Sequence, residues 1–106
     1  MSEQATYIPD LCQHTQFTPG GILSQTLQGD ERSKTVLFGF AAGQELSAHT
    51  APFPAMLVFV KGEATLRLGA EEREAKEGAF AYMPPYLEHG IKAKTDVVML
   101  LIMIKK

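Results

Sequence analysis

Hydrophobic and polar residues alternate in short runs along most of the chain, and glycine-rich turns separate the runs. The run "ILSQTLQ" at 22–28 follows the turn "TPGG", and "TVLFGFA" at 35–41 places its valine and both phenylalanines on one face. A period of two is typical of half-buried β-strands. Gly39 falls on the opposite face, which indicates either a bulge or a close approach of another backbone segment. We therefore predict two consecutive strands here.

The middle of the chain has the pattern of successive hairpins. Residues 55–85 alternate short apolar runs with the turns Lys61-Gly62 and Glu77-Gly78. Such turns at close intervals favour antiparallel strands. The segment "GAEEREAKEG" at 69–78 is rich in residues that favour helices, yet it has no apolar stripe. We predict that this segment is the solvated arm of a hairpin.

The final run, "VVMLLIMI" at 97–104, is apolar on both faces. A strand of this kind needs cover on both sides, from a second sheet or from a partner chain. Many short strands favour a sandwich or barrel, and the apolar last strand predicts a homodimer. The run is too short to span a bilayer, and the N-terminus lacks the features of a signal peptide. We expect a cytoplasmic protein that does not bind membranes.

The composition is that of an ordinary globular protein. The chain has 106 residues, 45% hydrophobic and 21% charged, with a net charge of -2. We expect a single domain over 1–106, with no basic patch for nucleic acid, so a small molecule or a protein is the expected partner. The one cysteine, Cys12, has no partner for an internal disulfide. It is interpreted as an inert buried thiol.

The segment 43–62 resembles the first motif of the cupins. That motif reads Gly, five residues, His-x-His, three or four residues, Glu, six residues and Gly. The family frame is kept without an insertion, but alanines stand where the family has its second histidine and its glutamate. The matching positions are Gly43, His49, Ala51, Ala55 and Gly62.

The segment 78–93 resembles the second cupin motif, which reads Gly, five residues, Pro-x-Gly, two residues, His, three residues and Asn. The first glycine, the proline and the histidine match, whereas the second glycine and the asparagine do not. The resemblance implies an all-β cupin double-stranded β-helix, or jelly-roll, barrel. The corresponding positions are Gly78, Pro84, Tyr86, His89 and Ala93.

The resemblance implies a divalent metal, such as Zn, Fe, Mn or Ni, at His49 and His89. Side chains two apart on a strand face the same way, so the His-x-His pair of the pattern points into one barrel, where opposite strands add the carboxylate and a third imidazole. Zinc generally has three or four protein ligands, and two imidazoles hold a divalent ion weakly. The alternatives are therefore a weakly held metal and a metal-free pocket. His14 is interpreted as a surface residue, with a role as third ligand as the alternative.

Alanine in place of the family's second histidine and its glutamate leaves free volume at the mouth of the predicted barrel. If Ala55 faces inward, Leu57 and Phe59 are expected to line the same cavity as Ala51 and Ala55, and an apolar ligand could bind there. Tyr86 either donates a hydrogen bond to a ligand at the rim or packs on the surface. Methionine sulfur is a soft ligand for copper, but we interpret the methionines as core residues. They are Met56, Met83, Met99 and Met103.

The favoured function is a binding protein with a pocket for a small molecule or a weakly held metal, and no catalytic residue is assigned. No nucleophile elbow or phosphate-binding glycine loop is present in the sequence. The alternative is a metal-dependent cupin enzyme of the dioxygenase, isomerase or decarboxylase class, although a fold by itself is a poor guide to chemistry. A purely structural dimer is the third possibility.

Overall fold

The computed structural model describes residues 4–105, which form one short helix and nine strands. Asp10 caps the helix, since its side chain accepts hydrogen bonds from the backbone N–H groups of Cys12 and Gln13. The elements, in chain order, are α1 (Leu11–His14), β1 (Ile22–Gly29), β2 (Ser33–Phe40), β3 (Glu45–His49), β4 (Ala55–Lys61), β5 (Ala64–Leu68), β6 (Glu71–Ala75), β7 (Phe80–Met83), β8 (His89–Ala93) and β9 (Val97–Ile104).

The strands form two antiparallel sheets. One sheet has five strands in the order β1-β2-β9-β4-β7, and the other has four in the order β3-β8-β5-β6. Most neighbours in each sheet come from distant parts of the chain, as expected for a jelly roll, while β1 with β2 and β5 with β6 are consecutive hairpins. The predicted all-β jelly-roll fold is confirmed. The charged hairpin is confirmed as well, because β5 pairs with β6 and the first four side chains of β6 are exposed.

The core lies between the sheets, where alternate residues of the strands point inward. Phe40, Phe59 and Met99 are among the fully buried side chains. Each such side chain contributes about 1.5–3 kcal/mol by leaving water. The alternation of the sequence therefore supplies the apolar inner faces that hold the two sheets together.

The last strand, β9, occupies the middle of the five-stranded sheet, between β2 and β4. The expected cover by a second sheet is present on its inner side. On the outer side, the N-terminal segment lies against β2, the neighbour of β9, which the sequence did not predict, whereas Leu100 and Ile102 of β9 itself are only half-buried. A Cβ atom on Gly39 would lie 2.4 Å from the Gln16 carbonyl oxygen, so the glycine permits this close contact. Of the two interpretations of Gly39, the close approach of another backbone segment is correct. A bulge is not present at Gly39, because β1 and β2 pair in regular register there.

Within residues 4–105, no helix is long and apolar enough to cross a membrane.

Candidate functional site

The two histidines of the cupin-like motifs lie side by side at one end of the molecule. His49 ends β3, His89 begins β8, and the two residues are directly paired across the strands. Their ring centroids are 4.3 Å apart, and the ring planes are inclined by 55°. His89 is 9% exposed, whereas His49 lies at the open rim. Two residues that are 40 positions apart in the sequence thus form one imidazole pair.

A bulge in β3 turns His49 toward the pocket. Pairing passes from Leu46 with Ile91 to His49 with His89, so that three steps on β3 match two steps on β8. Leu46 packs against the core, and in a regular strand Ala48 would be the next residue on that face while His49 would point outward. The extra residue reverses this parity, as bulges commonly do. His49 therefore joins His89 on the inner face.

Gly90 makes room for the bulge. A Cβ atom at Gly90 would lie 3.1 Å from both the Leu46 carbonyl oxygen and the Ala48 backbone nitrogen. These contacts are tighter than ordinary van der Waals distances, so a side chain there would push β3 away. The glycine that follows His89 in the sequence therefore helps to position the other histidine.

Both imidazoles make the same kind of hydrogen bond, from Nδ1 to the backbone carbonyl group two residues earlier. The Nδ1 atom of His49 lies 3.0 Å from the Ser47 oxygen, and that of His89 lies 2.9 Å from the Leu87 oxygen. A carbonyl oxygen only accepts hydrogen bonds, so each Nδ1 must carry the proton and donate it. In the neutral ring, Nε2 is then left with its lone pair. This arrangement is typical of histidines that bind metal ions through Nε2.

The imidazole pair borders a small pocket of about 80 Å³ between the ends of the two sheets. Both motif alanines, Ala51 and Ala55, line it, so the positions that carry ligands in the cupin pattern do face the histidines. Among residues 4–105, no carboxylate or ammonium group belongs to this lining. The lining residues in that range are His49, Ala51, Phe53, Ala55, Met83, Pro84, Leu87, His89, Leu101 and Met103.

Two methionines flank Ala55 on the wall opposite the histidines. Ala55 of β4 pairs with Met83 of β7 on one side and with Met103 of β9 on the other. Directly paired residues point to the same face of a sheet. The interpretation of Met83 as a core residue is confirmed, because it is 2% exposed, whereas Met103 is half-buried. Sequence reasoning connected neither methionine with the histidines. The connection depends on strand register, which local sequence does not show.

The structure places Leu57 and Phe59 in the core instead of the pocket wall. Both follow Ala55 on the inward face of β4, but they lie further from the open end and are only 1% and 0% exposed. Ala55, Leu57 and Phe59 therefore do not line one common cavity. The wall beside Ala55 is formed by the neighbouring strands β7 and β9 instead.

Tyr86 lies outside the pocket lining, and its side chain is 69% exposed. Its backbone N–H donates a hydrogen bond of 2.7 Å to the Ala51 carbonyl oxygen. Its φ of 66° falls in the left-handed region, which favours glycine. The backbone here thus has a conformation that suits the glycine of the cupin pattern, although the residue is a tyrosine. The contact joins the two loops at the pocket mouth.

Cys12 and His14 lie in the short helix α1 and do not line the pocket. Cys12 is half-buried, so the expectation of a buried thiol is not met. The exposed His14 ring has its Nε2 atom 3.3 Å from the Gln25 amide nitrogen on β1. Neither residue is placed to complete a ligand set with the histidine pair.

The carboxylates with shifted pKa values lie on surface hairpins. The backbone N–H groups of Ser33 and Arg32 lower the pKa of Asp30, and the Lys94 ammonium group lowers the pKa of Glu74 through a hydrogen bond. Two wider depressions, of about 430 and 640 Å³, are lined by charged residues of both signs. They are open to solvent and contain neither histidine, so the small pocket is the better candidate site.

The four-ligand set of the cupin pattern does not fit this chain. His49 and His89 keep two of the positions, while Ala51 and Ala55 carry no donor atom. In the part of the chain that the structure covers, no cluster of three or more His, Cys, Asp or Glu residues is placed to hold a metal ion. Among residues 4–105, the pocket offers the Nε2 atoms of two imidazoles and a lining without side-chain carboxylate or ammonium groups.

Comparisons with known proteins agree with this architecture. A family model described as "Cupin domain" matches residues 36–105. A conserved protein of unknown function from Streptococcus pyogenes is 27% identical, with 98% of this chain and 91% of that chain covered and a TM-score of 0.86. A cupin superfamily protein from Desulfitobacterium hafniense is 21% identical, with 98% and 94% covered and a TM-score of 0.86.

A cupin 2 conserved barrel domain protein from Leptotrichia buccalis is 26% identical, with 89% of this chain and 46% of that chain covered and a TM-score of 0.81. No curated protein matches the sequence. The structural likeness extends beyond the two motifs to the flanking strands.

Proposed function

The chain belongs to the cupin domain family, and from that membership we propose that it is a binding protein that takes one small ligand on His49 and His89. The observation that carries this proposal is the hydrogen bonding of the two imidazole rings. Both Nδ1 protons are engaged by carbonyl oxygens, so both Nε2 lone pairs are available beside one pocket. A metal ion or a molecule of a few atoms is the ligand that suits this arrangement.

A divalent ion such as Zn²⁺, Fe²⁺, Mn²⁺ or Ni²⁺ is expected to bind weakly. Two imidazoles satisfy only part of the coordination of these ions, and water must supply the rest. Binding should weaken as the pH falls, because protonation of an imidazole removes the lone pair that the metal needs. The pH dependence follows from the donor atoms and separates this site from a purely apolar pocket.

A metal-free pocket for an organic molecule is supported to a lesser degree. Pockets for small molecules usually measure about 300–1,000 Å³. The pocket here is about 80 Å³, so a sugar-sized ligand would require the loops at the mouth to open. An organic ligand would raise the melting temperature whether or not a chelator is present.

The metal-dependent enzyme is not the function that the geometry favours. A dioxygenase of the usual non-haem type needs two histidines and a carboxylate, or a close relative of that set. The pocket lining has no carboxylate, and Ala55 stands at the motif position that would supply one. The chain therefore supports ligand binding better than catalysis.

The test is a titration with Co²⁺, whose visible absorption reports imidazole coordination, combined with thermal unfolding. We expect saturable binding at neutral pH and a higher melting temperature, both lost in the double variant His49→Ala, His89→Ala. His14→Ala is the matched control, because its ring is outside the pocket. Equal Co²⁺ binding by the parent and the double variant would overturn the proposal, as would a loss in the control alone.

We also propose that the outer face of the five-stranded sheet binds a second copy of the chain. Phe80 and Tyr82 of β7 are 62% and 55% exposed, and they pair with half-buried residues of β4, which in turn pair with β9. These residues form one continuous surface, here called the outer patch. It consists of Met56, Val58, Phe80, Tyr82, Leu100 and Ile102.

A second copy suits the outer patch because the patch carries no charged residue. In a twofold dimer the same surface faces itself, so any charge near the axis would oppose its own copy. An uncharged, aromatic surface avoids that repulsion and matches the composition of interface cores.

Light scattering at micromolar concentration tests the dimer. We expect twice the chain mass for the parent and a monomer for the double variant Phe80→Glu, Tyr82→Glu. Glu72→Lys, on the exposed strand β6 of the other sheet, is the control and should remain dimeric. A monomeric parent, or a double variant that still dimerises, would contradict this part of the proposal.

A further inference from the structure

We infer that the pocket is a Cu(I) site formed by two imidazoles from one sheet and two methionine thioethers from the other. The inference rests on the proposed function, since it uses the same histidine pair and names the ion that the site prefers. His49, His89, Met83 and Met103 all line the one small pocket. The site differs from the cupin pattern, because neither sulfur stands at a ligand position of either motif.

The strand register brings the two thioethers together. Met83 and Met103 are the direct neighbours of Ala55 on its two sides, and all three side chains face the pocket. Direct neighbours have Cβ atoms about 4.5–5.5 Å apart. Ala55 extends only a methyl group between them, so the flexible methionine chains have room to turn toward the histidines. The position at which this chain has Ala55 in place of the glutamate of the cupin pattern thus lies between two sulfur donors.

The donor types favour a soft ion. Thioethers and imidazoles suit Cu(I), whereas carboxylate and carbonyl oxygens suit Mg²⁺, Ca²⁺ and Mn²⁺. The pocket lining has two imidazoles and two thioethers but no side-chain carboxylate. Four neutral donors of this kind complete a coordination set that the histidines alone leave half-empty.

The charge of the pocket favours a monovalent ion as well. Moving an ion out of water is costly unless the site neutralises its charge, and the penalty rises steeply with the ionic charge. The remaining lining residues are apolar, among them Phe53, Leu87 and Leu101. A singly charged cuprous ion loses less hydration free energy there than a divalent ion would.

The pocket volume agrees with a bare ion. A volume of about 80 Å³ accommodates one metal ion between the donor atoms of its lining. It is well below the range of about 300–1,000 Å³ that small-molecule pockets usually need. The site therefore requires no opening of the loops to hold copper.

Leucine variants distinguish methionines that coordinate copper from methionines that only pack. Exchange of methionine for leucine nearly conserves volume and usually costs less than about 1.5 kcal/mol. The exchange removes the sulfur without emptying the pocket. If Met83 and Met103 only pack, the leucine variants will bind metal ions as the parent does.

The experiment is an anaerobic competition titration with the Cu(I) chelator bicinchoninate, performed on the full chain carrying Cys12→Ser. This background removes the one thiol that could bind copper elsewhere. We expect one Cu(I) per chain. The double variant Met83→Leu, Met103→Leu should lose at least about tenfold in Cu(I) affinity, because changes that merely support metal ligands already cost about 10–100-fold. Its Co²⁺ affinity, measured in parallel, should be unchanged.

The matched control is the double variant Met56→Leu, Met99→Leu. Met56 is on the outer face of β4 and Met99 is in the core, and neither lines the pocket. This variant should bind Cu(I) like the parent. X-ray absorption of the copper-loaded parent should show sulfur bonded to copper, and the signal should disappear in Met83→Leu, Met103→Leu. If that double variant does not fold, the single variant Met103→Leu replaces it, since Met103 is only half-buried.

The outcomes separate the two proposals. Unchanged Cu(I) affinity in Met83→Leu, Met103→Leu would overturn the copper site while leaving ligand binding by the histidines in place. The copper site would also be overturned, and the proposed function kept, if the parent bound Co²⁺ through the histidines but did not bind Cu(I). Retention of both ions by His49→Ala, His89→Ala would overturn the proposed function itself.

Discussion

The two sheets contribute to the pocket in different ways. On the five-stranded sheet, β4 pairs with both neighbours in unbroken register at the pocket end, and the result is a wall of Ala55, Met83 and Met103. On the four-stranded sheet, the pairing of β3 with β8 is interrupted, and the interruption brings His49 opposite His89. The regular pairing at this end of the five-stranded sheet thus forms the wall, while the irregular pairing of β3 with β8 orients the imidazoles. An irregularity of backbone pairing can therefore determine which donor atoms reach a site.

The largest expected effect comes from the inner face of the five-stranded sheet. Phe59→Ala should lower the free energy of unfolding by about 3–5 kcal/mol, because it leaves a cavity in a fully buried position. Chemical denaturation measures this loss. Val60→Ala, at the half-buried neighbouring position, is the control and should cost clearly less. Equal losses would mean that the inner face of this sheet is not the main stabilising surface.

A smaller effect is expected from Gly39→Ala, also on the five-stranded sheet. The new Cβ would lie 2.4 Å from the Gln16 carbonyl oxygen, so the N-terminal segment must move away. Overpacking of this kind costs about 1–3 kcal/mol. Hydrogen exchange should show faster exchange in residues 11–21, with Co²⁺ binding unchanged. Unaltered exchange there would show that the segment does not depend on this contact.

Gly90→Ala is the corresponding change on the four-stranded sheet. The contacts of 3.1 Å with β3 are less severe, so we expect a loss of only about 1 kcal/mol in stability. Metal affinity should nevertheless fall, because the displaced bulge turns His49 away from His89. Comparison of Co²⁺ titrations for Gly39→Ala and Gly90→Ala tests the division of roles between the sheets. The division fails if both variants bind Co²⁺ equally well.

The smallest expected effect is a gain in stability from Tyr86→Gly. A left-handed conformation costs a residue with a Cβ atom about 1–2 kcal/mol. Glycine removes that strain but adds about 0.4–1 kcal/mol of entropy cost through the unfolded chain. The net gain in thermal or chemical unfolding should be about 0–1.6 kcal/mol. Tyr86→Ala, which keeps a Cβ atom, should show no such gain.

Much of the fold could be predicted from the sequence because its causes are local. Alternation of apolar and polar residues determined where most strands form, and the glycine turns marked their ends. The spacing of the two motifs was enough to place His49 and His89 at one site and to resemble the cupins. The missing donors at Ala51 and Ala55 were also visible in the sequence, and both alanines line the pocket.

The tertiary structure alone decided which atoms meet in the pocket. The bulge in β3, the carbonyl partners of the two rings and the neighbours of Ala55 all depend on the register between strands far apart in sequence. Register is set by the packing of whole sheets, so no local pattern specifies it. For the same reason Leu57 and Phe59 were assigned to the pocket, whereas the methionines of β7 and β9 form its wall.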